Sequence, residues 1–257
     1  MMSSRKPLFG VREAVLSLWI AAGLAGLGGS TANAAPVPLP ANATLQTLIG
    51  LNASGGIQIG NFVFSDFSFT PTTFSASNPA PSASQIAIGS APGPDVGLTF
   101  NSFWQSVPGG NQDGVIRYAV QVTTGSIDQV NLAFNGAAPL PSTGTVASVT
   151  ETVSTLLTDN NVPTGPGTAI GQLTTINSSS GGTTTTNNAN LILPLRQAGL
   201  FVSKDIAVAS GPNGIATISF VDNTYRFSAL APQVPEPAAL GLLGAMGLGL
   251  LARRRRA

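Results

Sequence analysis

Between Ala35 and Val234 the side chains able to carry protons or bind ions are few. They are the carboxylates Asp66, Asp95, Asp113, Asp128, Glu151, Asp159, Asp205 and Asp222, the cations Arg117, Arg196, Lys204 and Arg226, and the phenols Tyr118 and Tyr225. The chain has no histidine and no cysteine. This excludes a thiolate nucleophile, a Ser-His-Asp triad, a Cys/His zinc site and an imidazole base. What remains is carboxylate chemistry, and a glycosidase would need two carboxyl groups about 5 to 9.5 Å apart. Glu151, the only glutamate of this stretch, is the residue on which such a site would rest. It lies in a Val/Thr run beside Val149 and Val153, and the expectation is an outward-facing strand residue. Asp113, in Asn111-Gln112-Asp113-Gly114, and Asp159, in Asp159-Asn160-Asn161, are expected in turns, where Asx side chains bond their own backbone. The same oxygens suit calcium, but no spacing matches a calcium loop, so no metal and no cofactor is assigned. Asp222, Asn223, Tyr225 and Arg226 offer a carbohydrate-like mixture of polar and aromatic groups, expected instead as an ordinary strand end. Trp104 is expected in the core rather than stacked on a sugar.

Strands must position these residues. Val115 to Thr123 alternates with period two, placing Ile116, Tyr118, Val120 and Val122 opposite Arg117, Ala119 and Gln121. Gly125 then leads into Ile127 to Phe134, a pairing expected to be a hairpin. Phe62 and Phe64 share one parity and Phe67 and Phe69 the other, so a bulge near Ser65-Asp66 would return all four to one face. Thr145 to Leu157 is β-branched and reads as a strand. Asp159 to Asn190 is Gly/Thr/Ser/Asn-rich, with one strand expected at Ala169 to Ile176, and Thr183 to Thr186 is read as low-complexity surface and a glycosylation candidate. Leu200 to Ala209 and Ile215 to Phe227, joined by Gly211-Pro212-Asn213-Gly214, read as a closing hairpin. About nine or ten short strands without a convincing helix predict an all-β fold, a single β-sandwich of jelly-roll or immunoglobulin-like topology. Without cysteine its stability must come from the core.

The two ends read as addresses. Arg5, Lys6 and Arg12 precede the apolar run Val15 to Leu27, and Ala32-Asn33-Ala34 follows with small residues at positions suited to signal peptidase. This predicts a signal peptide over 1–34, with Ala32 and Ala34 at the cleavage site. The other end carries Pro235-Glu236-Pro237, the uncharged run Ala238 to Ala252 and four arginines, Arg253, Arg254, Arg255 and Arg256. Fifteen residues span about 22 Å as a helix, short of a hydrocarbon core of about 30 Å. With the basic block held on the cytoplasmic side, the run reads as a transient anchor that leaves the middle outside. These three parts, in this order over the last twenty-four residues, resemble the PEP-CTERM sorting signal, also catalogued as the ice-binding protein C-terminal domain. The resemblance implies that a membrane-embedded exosortase processes the chain near the motif and passes it to the surface or extracellular matrix. Ser203 to Ile206 through Ala216 to Phe220 also resembles the closing hairpin of such proteins. The organisation expected is a signal peptide at 1–34, a β-rich mature domain at 35–233 and a sorting signal at 234–257.

Four basic against eight acidic residues leave the middle at −4, without the basic footprint of a nucleic-acid binder. Three function classes follow. The first is a non-catalytic surface or matrix protein associated with exopolysaccharide in a biofilm, and the chain is read as this and not as an enzyme. The second, a carbohydrate-binding or adhesive module, requires an exposed Trp104 or Tyr225. The third, a glycan-cleaving hydrolase, requires Glu151 to face an aspartate in a cleft. Signal peptidase, exosortase, the membrane and possible exopolysaccharide are the expected partners.

Overall fold

The computed structural model describes residues 34–72, 78–139, 144–159, 161–179 and 184–230. Ala34 is the first of these. Ala32 and the rest of the expected signal peptide, Pro235-Glu236-Pro237, the apolar run and Arg253 to Arg256 all lie outside the described residues. Among the described residues no helix is long and apolar enough to cross a membrane.

The strands are β1 (Val37–Pro38), β2 (Ile57–Ile59), β3 (Phe62–Thr72), β4 (Ala87–Ser90), β5 (Val96–Gln105), β6 (Asn111–Val122), β7 (Ser126–Ala137), β8 (Val146–Asp159), β9 (Val162–Ser178), β10 (Thr184–Thr186), β11 (Asn188–Gln197), β12 (Gly199–Ala209) and β13 (Thr217–Ser228). They form two sheets, one ordered β1-β2-β3-β6-β12-β8-β9-β10 and the other β11-β7-β13-β5-β4. The fold is all-β, as expected. One short helix, α1 (Leu45–Gly50), precedes β2; Thr44 caps it through a capping box with Thr47, and it buries Leu45 and Leu48.

Alternation decides which residues fill the space between the sheets. Ile116, Tyr118 and Val120 of β6 point inward together with Val149 and Val153 of β8, Val202 and Ile206 of β12 and Leu132 and Phe134 of β7. Each large apolar side chain buried this way contributes about 1.5 to 3 kcal/mol. The β3 bulge is present. Its register against β6 shifts between Ser65 and Ser68, and Asp66 takes a left-handed φ of 54° to supply the extra residue. Phe62, Phe64 and Phe67 are thereby buried, while half-buried Phe69 meets the Trp104 ring edge-on at 6.3 Å.

Several connections differ from the sequence expectation. Gly125 does not close a hairpin: β6 pairs with β3 and β12 in the larger sheet, and β7 with β11 and β13 in the smaller. Likewise Gly211 to Gly214 does not join a pair of bonded neighbours. β12 lies between β6 and β8, and β13 between β7 and β5. A turn signal marks where the chain reverses, and two strands each with a largely apolar inner face gain more by covering each other's sheet than by extending one sheet. Asn111 to Gly114 is strand, not turn, and pairs with β12 through Asp113↔Ala207. The stretch expected to hold only a short strand at Ala169 to Ile176 is β9, seventeen residues long and paired to β8. The expected low-complexity tract contributes β10, which pairs with β9. Threonine is a good strand former, and here that outweighed the missing apolar pattern.

Candidate functional site

Among the described residues, a hydrogen-bonded cluster of polar side chains lies inside the sandwich. Glu151 on β8 and Lys204 on β12 are directly opposite each other in the larger sheet, and both are 0% exposed. Parity explains this: Lys204 alternates with Val202 and Ile206, and Glu151 with Val149 and Val153, so both share the inward face. The expectation that Glu151 faces outward is therefore wrong. The Lys204 ammonium and Glu151 Oε2 form a buried ion pair.

From the opposite sheet, Asn223 of β13 completes the cluster. Its Nδ2 donates to Glu151 Oε1 at 3.2 Å and to the Asn131 carbonyl of β7 at 2.9 Å. Its Oδ1 accepts from the Tyr225 hydroxyl at 2.9 Å and from the Tyr118 hydroxyl, and the two phenol oxygens are 2.8 Å apart. This network fixes the amide's orientation, because only the oxygen can accept both hydroxyls and only the nitrogen can serve two acceptors. Phe67 stacks on Tyr118 at 5.5 Å, and Phe64 lies 5.9 Å from Tyr225, so the cluster has apolar ring walls.

The electrostatics follow from burial. Desolvation lowers the Lys204 pKa below its ordinary value, opposed by the charge and hydrogen bond of Glu151. Burial also raises both phenols well above the usual tyrosine range, with the Glu151 charge adding to it. Such an ion pair is weak evidence for net stability, since dehydrating two charges costs several kcal/mol each. An amine, a carboxylate and an amide held together in a dry core, with two hydroxyls on the amide oxygen, are the parts of an acyl-transfer centre. The buried centre has no exposed face for an outside substrate.

The other expected site residues are dispersed. Trp104 is buried at 2% exposure, as expected, and Tyr225 is buried as well, so neither is available to stack on a ligand. Asp222 and Arg226 share the outer face of β13, whereas Asn223 and Tyr225 point inward; the apparent cluster is split by the pleat. Thr99 donates to Asp222 at 2.5 Å. Arg226 Nε donates to Asp128 at 2.7 Å beside a cleft of about 290 Å³ lined by Asp128, Ile192, Leu193, Pro194, Arg196 and Arg226. Asp113 shares a hydrogen bond with Asp205 on the outer face of the larger sheet, and Asp159 ends β8. Among the described residues no group of three or more His, Cys, Asp or Glu is placed to hold a metal.

Sequence reading missed Lys204 and Tyr118 as site residues, and placed Asn223 with Asp222 and Arg226 at an ordinary strand end rather than in the interior. The signal was there in parity: each sits at a position whose neighbours two residues away are apolar or aromatic, such as Ile116 and Val120 around Tyr118.

No family model matches the chain, and no curated protein does. Among solved structures it is similar to TmCBM61 in complex with β-1,4-galactotriose, at 10% identity and a TM-score of 0.26, covering 65% of this chain and 90% of that one. It is also similar to the enzymatically active domain of bacteriophage CBA120 tailspike protein 4, at 13% identity and a TM-score of 0.22, covering 61% of this chain and 19% of that one. Neither likeness is close enough to carry an argument about this chain.

Proposed function

We propose that the chain is an exported, exosortase-sorted protein of the cell surface or extracellular matrix, with a non-catalytic structural role beside exopolysaccharide. The observation that carries this reading is the ordered set Pro235-Glu236-Pro237, Ala238 to Ala252 and Arg253 to Arg256, opposite a signal-peptide pattern ending at Ala34. An all-β sandwich with little charge and its polar centre sealed inside supports a structural rather than a catalytic role. The strand order supports a jelly-roll arrangement, since β5, β6, β7 and β8 alternate between sheets, as do β11, β12 and β13.

The test is expression in an exosortase-bearing host, with Pro235-Glu236-Pro237 intact or changed to alanines, followed by intact masses of surface and medium fractions. Loss of both terminal segments in the unaltered protein alone is the expected result. A tail retained in both would overturn the sorting reading and leave a membrane-tethered protein.

A second reading, a carbohydrate-binding or adhesive module, draws on the cleft beside Arg226 and Asp128 and not on Trp104 or Tyr225. It predicts retention of the unaltered protein on immobilised exopolysaccharide from the same host and reduced retention of Arg226→Ala. Equal elution of the two from the resin would count against that cleft.

A further inference from the structure

The buried centre has a chemical consequence that a merely structural polar cluster would not have. We propose that Lys204 and Asn223 become covalently joined, the Lys204 amine displacing the Asn223 amide nitrogen as ammonia and leaving an Nζ–Cγ amide between the two sheets.

Glu151 bridges the two groups that the step must join. The nucleophile is the Lys204 amine, which must be neutral to attack, and the dry surroundings favour that form. The proton carrier is Glu151, whose Oε2 contacts the amine and whose Oε1 lies 3.2 Å from the amide nitrogen that must leave. One carboxylate thus touches the incoming and the departing nitrogen. The electrophile is Asn223 Cγ, and its oxygen already accepts the Tyr118 and Tyr225 hydroxyls. Those donors are aimed where negative charge develops when the carbonyl is attacked. The 2.9 Å bond from Nδ2 to the Asn131 carbonyl holds the amide in this orientation.

Protons and atoms balance without any outside reagent. Lys204 passes one proton to Glu151, and the free amine adds to Cγ, giving a tetrahedral centre with its negative charge on Oδ1. Glu151 delivers its proton to Nδ2, the Cγ–Nδ2 bond breaks and ammonia leaves. Glu151 then takes a second proton from the new amide nitrogen, and that proton stays on the carboxyl group or departs with ammonia as ammonium. No electrons are exchanged, so the step needs no oxidant, in a chain that has no cysteine for a disulfide. Bringing amine and amide together in one fold supplies the proximity that makes a sluggish amide exchange feasible, since effective molarities of about 10⁵ M or more are reached in well-oriented intramolecular reactions. The product ties β12 to β13, and so one sheet to the other, at the centre of the core. This proposal is independent of how the chain is sorted.

The test uses the full chain, purified folded, then denatured and digested with trypsin, which cuts after free lysine and arginine. A joined pair leaves Gln197 to Arg226 as a single peptide, uncut at Lys204 and one ammonia lighter than its sequence, with fragment ions placing the link between Lys204 and Asn223. Separate peptides ending at Lys204 and beginning at Asp205, both at full mass, would overturn the proposal. Asparagine can also lose ammonia by cyclising on its own backbone, so Lys204→Met is the control: the loss must vanish there, and its persistence would overturn the link. Glu151→Gln keeps the shape of the centre and removes the proton carrier. Circular dichroism checks that it folds, and the expected result is a β-folded protein with link formation slowed by about 100-fold or more. A folded Glu151→Gln protein that links as fast as the unaltered one would remove Glu151 from the mechanism.

Discussion

Lys204 and Asp205 are neighbours on β12, yet they face opposite sides of one sheet and meet opposite surroundings. Lys204 points into the buried interior and finds Glu151 opposite it, which in turn accepts a hydrogen bond from Asn223 of the other sheet. Asp205 points outward and finds another acid, Asp113, two residues along in the ladder with β6. In the interior an unpaired charge would be prohibitive, so Glu151 and Lys204 hold each other and bond on to Asn223, Tyr118 and Tyr225, and the positions of five side chains become mutually determined. On the outer face water screens a like-charge pair, and its cost is only a shifted proton equilibrium. Burial, the shared hydrogen bond and the charge of Asp113 together push the Asp205 carboxyl up to about 6. In this fold the pleat, not proximity in sequence, assigns chemistry to a side chain.

Substitutions on the inner face should have the larger effects. Glu151→Ala leaves a lysine buried without its counter-charge and should cost about 3 to 5 kcal/mol of stability, read from the denaturant midpoint. A midpoint equal to that of the unaltered protein would mean that Lys204 reaches water and that the interior is not sealed. A smaller effect is expected when both charges go together. Lys204→Met combined with Glu151→Leu removes the ion pair without stranding a charge, and should recover most of the loss caused by Glu151→Ala. Failure to recover would mean that the pair matters through the hydrogen bond Glu151 accepts from Asn223, or through the Lys204–Asn223 link, more than through charge balance.

The smallest effect belongs to the outer face, and its signature is pH dependence. The folded Asp205 holds its proton up to about pH 6, above the ordinary aspartate value of 3.8. It therefore contributes stability that is fully present below about pH 4 and is lost as pH rises through 6. Asp205→Asn should flatten that part of the profile, so thermal melts at pH 5 and pH 8 should differ less in the variant than in the unaltered protein. A difference of the same size in both would show that Asp113 and Asp205 do not share a proton.

Much of the larger architecture was legible from local pattern. The β6 alternation, the β8 strand and the Ser65-Asp66 bulge were each read from parity and β-branched content, because those signals act over a few residues. The burial of Trp104 followed from the same reasoning. Legibility failed where partners had to be chosen. Gly125 and Gly211 to Gly214 announce reversals, but nothing local says whether the returning strand joins the same sheet or covers it, since both choices bury the same apolar face. It failed also at Glu151, where a preference for exposing acids overrode the alternation with Val149 and Val153. In the run Asp222 to Arg226 adjacency suggested one site, and the pleat divided it in two.

By itself the sequence determined the chemistry that is excluded, through its lack of histidine and cysteine, and the alternation that makes strands, because composition and period-two patterning need no folded context. Only the tertiary structure decided that Glu151, Lys204, Tyr118, Asn223 and Tyr225 meet. They come from four strands in two sheets and are up to about a hundred residues apart. A contact between sheets depends on which faces are stacked and in what register, and that choice is made by the packing of the whole core rather than by any segment of it.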